Sequence, residues 1–508
     1  MKIEVDESPM GSGKTHRATN EAVSTPSKTL FITERIDRFE ELDRDIKLAA
    51  AERGTNPLVI RIQSKPHDRG NSVSREIERL PYDYLLHRHV IVLATHSAML
   101  RSDFSGFQGW QIIVDEVPQF LDFEEKHTHL DSHFFEQHYE LQTACEGWSV
   151  VKLREDTPSI TPATVRGCES HEHLAVFHRR VEEASRPAAS RYVLCNLSCW
   201  DEMADAKVTW CWASAFSLWE LQAFDRIVLL GNRFRRDIGS VLSERLSDAP
   251  VEWIALPEIR RDKAFVHRSV RINYFSDRRQ ASRSLFESSE GEEMLSKIGD
   301  YLARALPHGQ SIWSANATAA KLGGKPPRIA LQTGGLSPDS WLPPRQAGTN
   351  LHSRVSHAAM IYSAKASANL RGLLQLLGIS HELWTKSVEH EAICQFMTRT
   401  SVRDPDNASP VHFWVFDQAQ ARYLKEYFDG LDHVSASIAH VADGPAIPAI
   451  AKSGPKVAHR TPEQQVEFQN AKRRKDAERK RKDRAMKRHL KAKEASETEL
   501  EKPRSKAA

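Results

Sequence analysis

Residues 8–15 read Ser8-Pro9-Met10-Gly11-Ser12-Gly13-Lys14-Thr15, and this stretch decides the fold. KIEV (2–5) precedes it as a short strand and HRATNEAV (16–23) follows it as a helical run. At such a junction, glycines let backbone amides curl around phosphate oxygens, a lysine reaches the terminal phosphates, and a hydroxyl meets a magnesium ion. Gly11, Gly13, Lys14 and Thr15 supply these parts, while Ser8 stands where the usual pattern has its first glycine. Strand, loop and helix in this order predict an α/β fold with a parallel sheet.

Working outward, QIIVDEVP (111–118) is an apolar strand ending in two adjacent acids. In a phosphate-loop enzyme Asp115 would hold magnesium and Glu116 would polarise the attacking water. In the other half of the chain, ICQFMTRTSVRD (393–404) carries Gln395, Arg399 and Arg403. Arginines four apart are expected on one face of one helix, and an enzyme splitting ATP between two domains needs a cation from the second to meet the charge on the γ-phosphate.

Between these landmarks run short apolar segments bounded by turn residues. TLFITE (29–34), LVIRIQ (58–63), HVIVLATH (89–96), VTWCWAS (208–214) and RIVLLGN (226–232) join the first two strands. VRINYF (270–275), SIWSAN (311–316), RIALQT (328–333), HAAMIYSA (357–364) and VHFWVF (411–416) make a second set. Continuous rather than alternating runs suit strands covered on both faces by helices. The expected organisation is a first α/β domain over 1–250 with an inserted subdomain or lid at about 121–205, and a second over 251–443. A Pro/Gly/Ala-rich linker (444–460) and a basic helical or disordered tail (461–508) follow.

Charge divides the chain in two. Residues 472–493 hold seven Lys and six Arg against three acids, so this stretch carries +10 of a formal net charge of +3 and the rest is −7. The tail has helix-forming composition with almost no apolar stripe, which fits an arm that orders on a polyanion or a solvated extension. Nothing approaches the apolar length of a membrane span, the first residues lack a signal-peptide layout, and six scattered cysteines exclude a disulfide framework. A reduced, cytoplasmic setting is expected, with no membrane partner.

Other clusters read more plainly. Seven histidines in the insertion (His127, His129, His133, His138, His171, His173, His178) match no zinc spacing and are read as surface residues. Cys195 and Cys199 lack a second pair and are read as buried thiols, and Trp200, Trp210, Trp212 and Trp219 as core.

Taken in order, these segments resemble the superfamily 2 helicases, the DExD/H group. SPMGSGKT looks like motif I, TLFITER (29–35) like Ia, ATHSAML (94–100) like the threonine-containing strand-binding motif, and DEVP (115–118) like II. ASA (213–215) is similar to motif III, AGTN (347–350) to V and QFMTRTSVR (395–403) to VI, so the resemblance covers about residues 1–430. It implies two RecA-like domains with ATP·Mg²⁺ between them. Pro9, Met10, Gly11, Ser12, Gly13, Lys14 and Thr15 would bind nucleotide, with Thr15 and Asp115 on the metal.

The resemblance further places Thr33, Thr95, Gly348 and Thr349 on a nucleic-acid backbone and gives Ser214 the coupling of hydrolysis to movement. DEVP is neither DEAD nor DEAH, and the partner is nucleic acid, single-stranded or duplex, with DNA slightly favoured over RNA. The last arginine lies eight residues after Gln395 rather than seven, leaving Arg399 and Arg403 both as candidate fingers. Short flanks and a long insertion are similar to helicases of phages and mobile elements. Two alternatives stand beside this reading: a terminase-like packaging ATPase with acids at Asp404, Asp406, Asp417, Asp429 and Asp432, and a non-catalytic nucleic-acid-binding scaffold with a decayed ATPase site.

Overall fold

The computed structural model describes residues 1–63, 73–126, 132–145, 147–156, 160–187, 189–204, 208–259, 265–317, 326–344 and 351–447. The basic tail, most of the linker, His127, His129 and the AGTN segment with Gly348 and Thr349 lie outside them.

Strands are numbered along the chain. β1 (Lys2–Asp6), β2 (Lys28–Thr33), β3 (Leu58–Arg61), β4 (Val90–Thr95) and β5 (Trp110–Asp115) come first. Residues 121–216, the expected insertion and the strand after it, add β6 (Leu121–Lys126), β7 (Tyr139–Cys145), β8 (Trp148–Leu153), β9 (Arg191–Cys195) and β10 (Trp210–Phe216). Then follow β11 (Arg226–Leu230), β12 (Glu252–Ala255), β13 (Arg268–Ser276), β14 (Ser311–Ala315), β15 (His357–Ile361), β16 (Val411–Asp417) and β17 (Val434–His440).

The apolar runs assemble as their composition requires. A seven-stranded sheet has the order β12-β1-β11-β5-β2-β4-β3, with every pairing parallel. Successive residues of one strand serve opposite faces. Phe31, Ile91, Leu93, Ile113 and Val228 pack under helix α1 (Lys14–Ser24) and helix α2 (Phe39–Arg53), while Leu30, Ile32, Val90, Val92 and Ile112 face the other way. Both faces are buried, and full burial of each large aliphatic side chain contributes about 1.5–3 kcal/mol.

That second face is not closed by the first half alone. Leu370, Leu373, Leu374, Trp384 and Val388, which follow β15 in the chain, belong to the same apolar cluster as Leu30 and Val92. The second half has its own five-stranded parallel sheet of order β14-β15-β16-β13-β17. The architecture is thus α/β with two parallel sheets and an insertion in the first half.

VTWCWAS was expected in the first parallel sheet, but as β10 it pairs antiparallel with β6 and β9. It closes a five-stranded sheet of order β6-β10-β9-β8-β7 built by the insertion. An apolar run buried on both faces looks alike in either setting, because the insertion has its own core of Phe135, Tyr139, Phe177, Trp210 and Trp212. Trp200, Trp210 and Trp212 are buried, as core residues should be, while Trp219 is half-buried; His178, read as a surface residue, is instead fully buried, its Nδ1 2.8 Å from the Tyr139 hydroxyl. Of the two cysteines read as buried, only Cys195 is, and burial pushes its thiol up to about 12; Cys199 is exposed.

RIALQT is a second correction: Pro327–Thr333 is a helix. Proline at its first position is preorganised for a helix start. In a strand Ile329 and Leu331 would share a face, whereas here Ile329 is 38% exposed and Leu331 is fully buried. Two edge strands, β12 and β17, pair at opposite sheets' margins with mixed or small residues such as VSASIAH, so no apolar run announces them.

Between β15 and β16 a π-helical turn, Thr385–His390, precedes the helix Glu391–Met397. Burial, then Lys365 and Lys386, push the His390 imidazole down to about 4. A histidine held neutral in the fold but charged when unfolded contributes stability that is complete above its unfolded value, near 6.5, and is lost as pH falls toward 4. Thermal melts of a His390→Asn variant between pH 7 and 4 are expected to fall less steeply than those of the wild type. Parallel curves would remove His390 as a source of acid sensitivity.

Candidate functional site

The turn after β1 is built on two backbone positions that side chains avoid. Gly11 has φ 74° and Gly13, which precedes α1, has φ 92°. Both are left-handed, where a Cβ is strained. Lys14 then opens α1 and its Nζ donates back to the carbonyls of Ser8 at 2.5 Å and Pro9 at 3.1 Å. Ser8 replaces the usual glycine with a purpose visible in its contacts. Its amide donates to Asp6 Oδ1 at 3.0 Å, and its hydroxyl accepts the Ile259 amide at 3.4 Å.

β5 brings the acids to the same sheet edge. Leu230 of β11 is in register with both Asp6 of β1 and Asp115 of β5, so β11 lies between the loop strand and the acid strand. Thr15 Oγ1 lies 3.1 Å from each Asp115 carboxylate oxygen. His96 Nε2 lies 2.8 Å from the Asp115 carbonyl oxygen, which fixes the end of the strand from below. Glu116 has φ 57°, a strained value for a non-glycine residue, and its amide donates to Leu230 O at 3.1 Å.

Burial first, and then the charge of Glu116, raise the Asp115 carboxyl above the usual carboxylate range; Arg38, the Thr15 hydroxyl and Lys14 oppose this. Burial also lowers Lys14, with Asp6, Asp115 and Glu116 acting against it.

These groups open onto a cavity of about 920 Å³ that the second half completes with Glu391, Gln395, Arg399 and Arg403. Gln395 is an exposed residue on its wall. The expectation of one helix carrying both arginines is corrected. The helix ends at Met397, Arg399 follows its cap, and Arg403 closes a separate 3₁₀ turn, Ser401–Arg403. The TRTS sequence explains the break. Thr398 Oγ1 donates to Gln395 O at 3.1 Å and Thr400 Oγ1 to Met397 O at 2.8 Å, local bonds that compete with helix continuation.

Both arginines still reach the cavity. Arg399 is only 3% exposed, its Nη1 has no hydrogen-bond partner among the described residues, and burial lowers it to about 10. Burial likewise lowers Arg403, and Glu116 is the leading charge that stabilises each cation. The Arg403 stem runs 3.3 Å from where a Cβ on Gly11 would stand.

Thr33 and Thr95 are register partners at the ends of β2 and β4. Thr33 is buried at 3% exposure, and Thr95 Oγ1 caps the next helix by accepting the Ala98 amide at 3.3 Å. Ser214 sits in β10, opposite Asp122 and Val193, and does not line the cavity. The strand that delivers residues beside Asp115 is β11, and two residues past it Asn232 donates to Glu391 Oε1 at 3.0 Å. RIVLLGN showed the strand but gave no reason to single out its last residue.

Glu34, Arg38 and His96 also line the cavity. All three lie within or just beyond the quoted segments TLFITER and ATHSAML, where nothing in spacing marked them. Two of the carboxylates considered for a nuclease have local duties: Asp417 accepts amides of Gln420 and Ala281, and Asp429 pairs with Lys425 at 2.5 Å.

The donor set suits ATP·Mg²⁺. Thr15 and Asp115 present hard oxygens side by side, Lys14 and two arginines face the same space, and Arg399 holds a buried nitrogen without a partner among the described residues.

The architecture and this loop define an α/β protein with a phosphate-loop turn at its first strand. No family model and no curated protein sequence match the chain. Among solved structures it is similar to an XPD helicase, at 10% identity over 86% of this chain and 96% of that one, with a TM-score of 0.43. Xpd4 from S. tokodaii matches at 11% identity over 86% and 96%, with a TM-score of 0.41. S. cerevisiae Dbp5 bound to RNA and ADP BeF3 matches at 9% over 87% and 86%, with a TM-score of 0.35.

Proposed function

We propose that the chain is an ATP-dependent nucleic-acid motor, a helicase or translocase of the superfamily 2 type. The observation that carries this reading is the convergence on one cavity of Lys14, Thr15, Asp115 and Glu116 from the first half with Arg399 and Arg403 from the second. Lys14 and the loop amides bind the phosphates of ATP. Thr15 and Asp115 would hold magnesium, which supplies charge neutralisation between the phosphates when bound. Glu116 orients a water and takes its proton, while the arginines meet the charge that develops on the transferred phosphoryl group.

Because the two sets of groups come from different sheets, turnover is tied to how closely the halves approach. Nucleic acid is the expected track, from the resemblance of TLFITER and ATHSAML, whose threonines end neighbouring strands, and from the +10 stretch at 472–493. Contacts would fall mainly on phosphates and tolerate any sequence.

ATP hydrolysis by the purified chain, measured alone and with single-stranded DNA, single-stranded RNA or duplex, tests the reading. Stimulation by one polymer is expected and names the track. No turnover under any condition would shift the weight to a decayed-ATPase scaffold. The tail contributes separately: deleting 457–508 is expected to weaken nucleic-acid affinity and flatten its salt dependence while leaving basal hydrolysis intact. An unchanged salt slope would show that the tail does not touch the polymer.

A further inference from the structure

The phosphate loop is held by the second half as well as by its own sheet. Met10 projects out of the loop, and its side chain packs against the apolar cluster of the second sheet that contains Val415, Phe396 and Tyr427. Its backbone amide donates to the Tyr427 hydroxyl at 3.2 Å. The Thr398 hydroxyl oxygen, whose proton goes to Gln395 O, lies 3.1 Å from Met10 Sδ, one residue before Arg399. The next loop residue, Gly11, has the Arg403 stem against it, so a side chain there would meet both a left-handed backbone and that stem.

Both gripping residues are fixed from behind. Tyr427 and Thr398 are buried. Tyr427 stands on the helix Gln418–Asp429, four residues after Tyr423, whose hydroxyl donates to Glu391 Oε2 at 3.0 Å. Glu391 begins the helix that leads to Arg399, and its other oxygen accepts from Asn232, two residues past β11. Arg233, held at φ 53°, lies 5.3 Å from the Tyr427 ring and 5.9 Å from that of Tyr423.

We propose that Tyr427 and Thr398 are positioning residues that seat the arginine segment on the phosphate loop through Met10. This rests on the ATPase reading above. The grip commits the Met10 amide to Tyr427 and so leaves the phosphates to the amides of Gly11–Thr15. Its effect falls on how often Arg399 and Arg403 are in place, and so on the rate of the chemical step rather than on nucleotide affinity.

The test uses the full chain with Tyr427→Phe, which keeps the buried ring, and Thr398→Val, which keeps the volume. Each is expected to lower kcat for ATP about tenfold while leaving KM within about twofold, the size of effect one lost hydrogen bond gives. Amide hydrogen exchange over residues 8–13 is expected to quicken in Tyr427→Phe, with the rest of the first sheet unchanged. A wild type that hydrolyses ATP beside variants with unaltered kcat and unaltered exchange would overturn the inference and leave the ATPase reading standing. So would a KM that rises in step with any fall in kcat. A wild type that never turns over would instead remove the ATPase reading itself.

Discussion

Replacing Arg399 by methionine is expected to slow ATP hydrolysis about 10³-fold or more, the range found when a transition-state arginine is removed. The argument is the state of its guanidinium. Arg399 is buried beside Glu116, and Nη1 has no partner among the described residues. A buried, under-bonded cation costs stability unless an anion meets it. The same substitution is therefore expected to leave the melting temperature without nucleotide unchanged or raised, because methionine fills the space without the charge. Rate and stability measured on one variant separate a catalytic arginine from a structural one. A large fall in both would make Arg399 a packing residue, and Arg403→Met would then carry the finger assignment.

Glu116→Gln is expected to lower kcat by about 10²–10⁴ while nucleotide still binds, since the amide keeps the shape and loses the basic oxygen. Its backbone adds a second test. Glu116 holds a left-handed φ of 57° right after β5, a conformation that costs about 1 kcal/mol or more for any residue but glycine. Glu116→Gly is thus expected to melt no lower than wild type, although it too is inactive. A glycine variant that unfolds more easily would mean that the carboxylate, rather than its placement, supports the fold. Steady-state hydrolysis and thermal melts in the same buffer decide both points.

How much of this was legible depended on where each signal lives. SPMGSGKT and QIIVDE are local patterns with local consequences, and their strands, the left-handed glycines and the Thr15–Asp115 contact follow from them. The parallel sheets were legible because runs such as HVIVLATH are apolar throughout. VTWCWAS misled for the same reason, since burial on both faces does not say whether a neighbour runs parallel or antiparallel. RIALQT misled because its helix is set by Pro327 and by tertiary burial rather than by a clear period.

At the site, Lys14, Asp115, Glu116, Arg399 and Arg403 meet in one cavity. Ser214 was placed by likeness of three letters; it lies in β10 away from the cavity, whose lining includes Asn232, two residues past β11. The contacts of Asn232, Tyr427 and Thr398 join residues far apart in the chain, and no spacing rule reaches that far.

The apolar cluster shared by the two halves sets what kind of motion the chain can make. Leu370, Leu373, Trp384 and Val388 are sealed with Leu30 and Val92, and pulling them into water would cost about 1.5–3 kcal/mol apiece. The two halves are therefore bound along one apolar spine. Neither half is a free-standing module: a chain severed near residue 260 would bare that spine, and the first fragment would be expected to stick to itself.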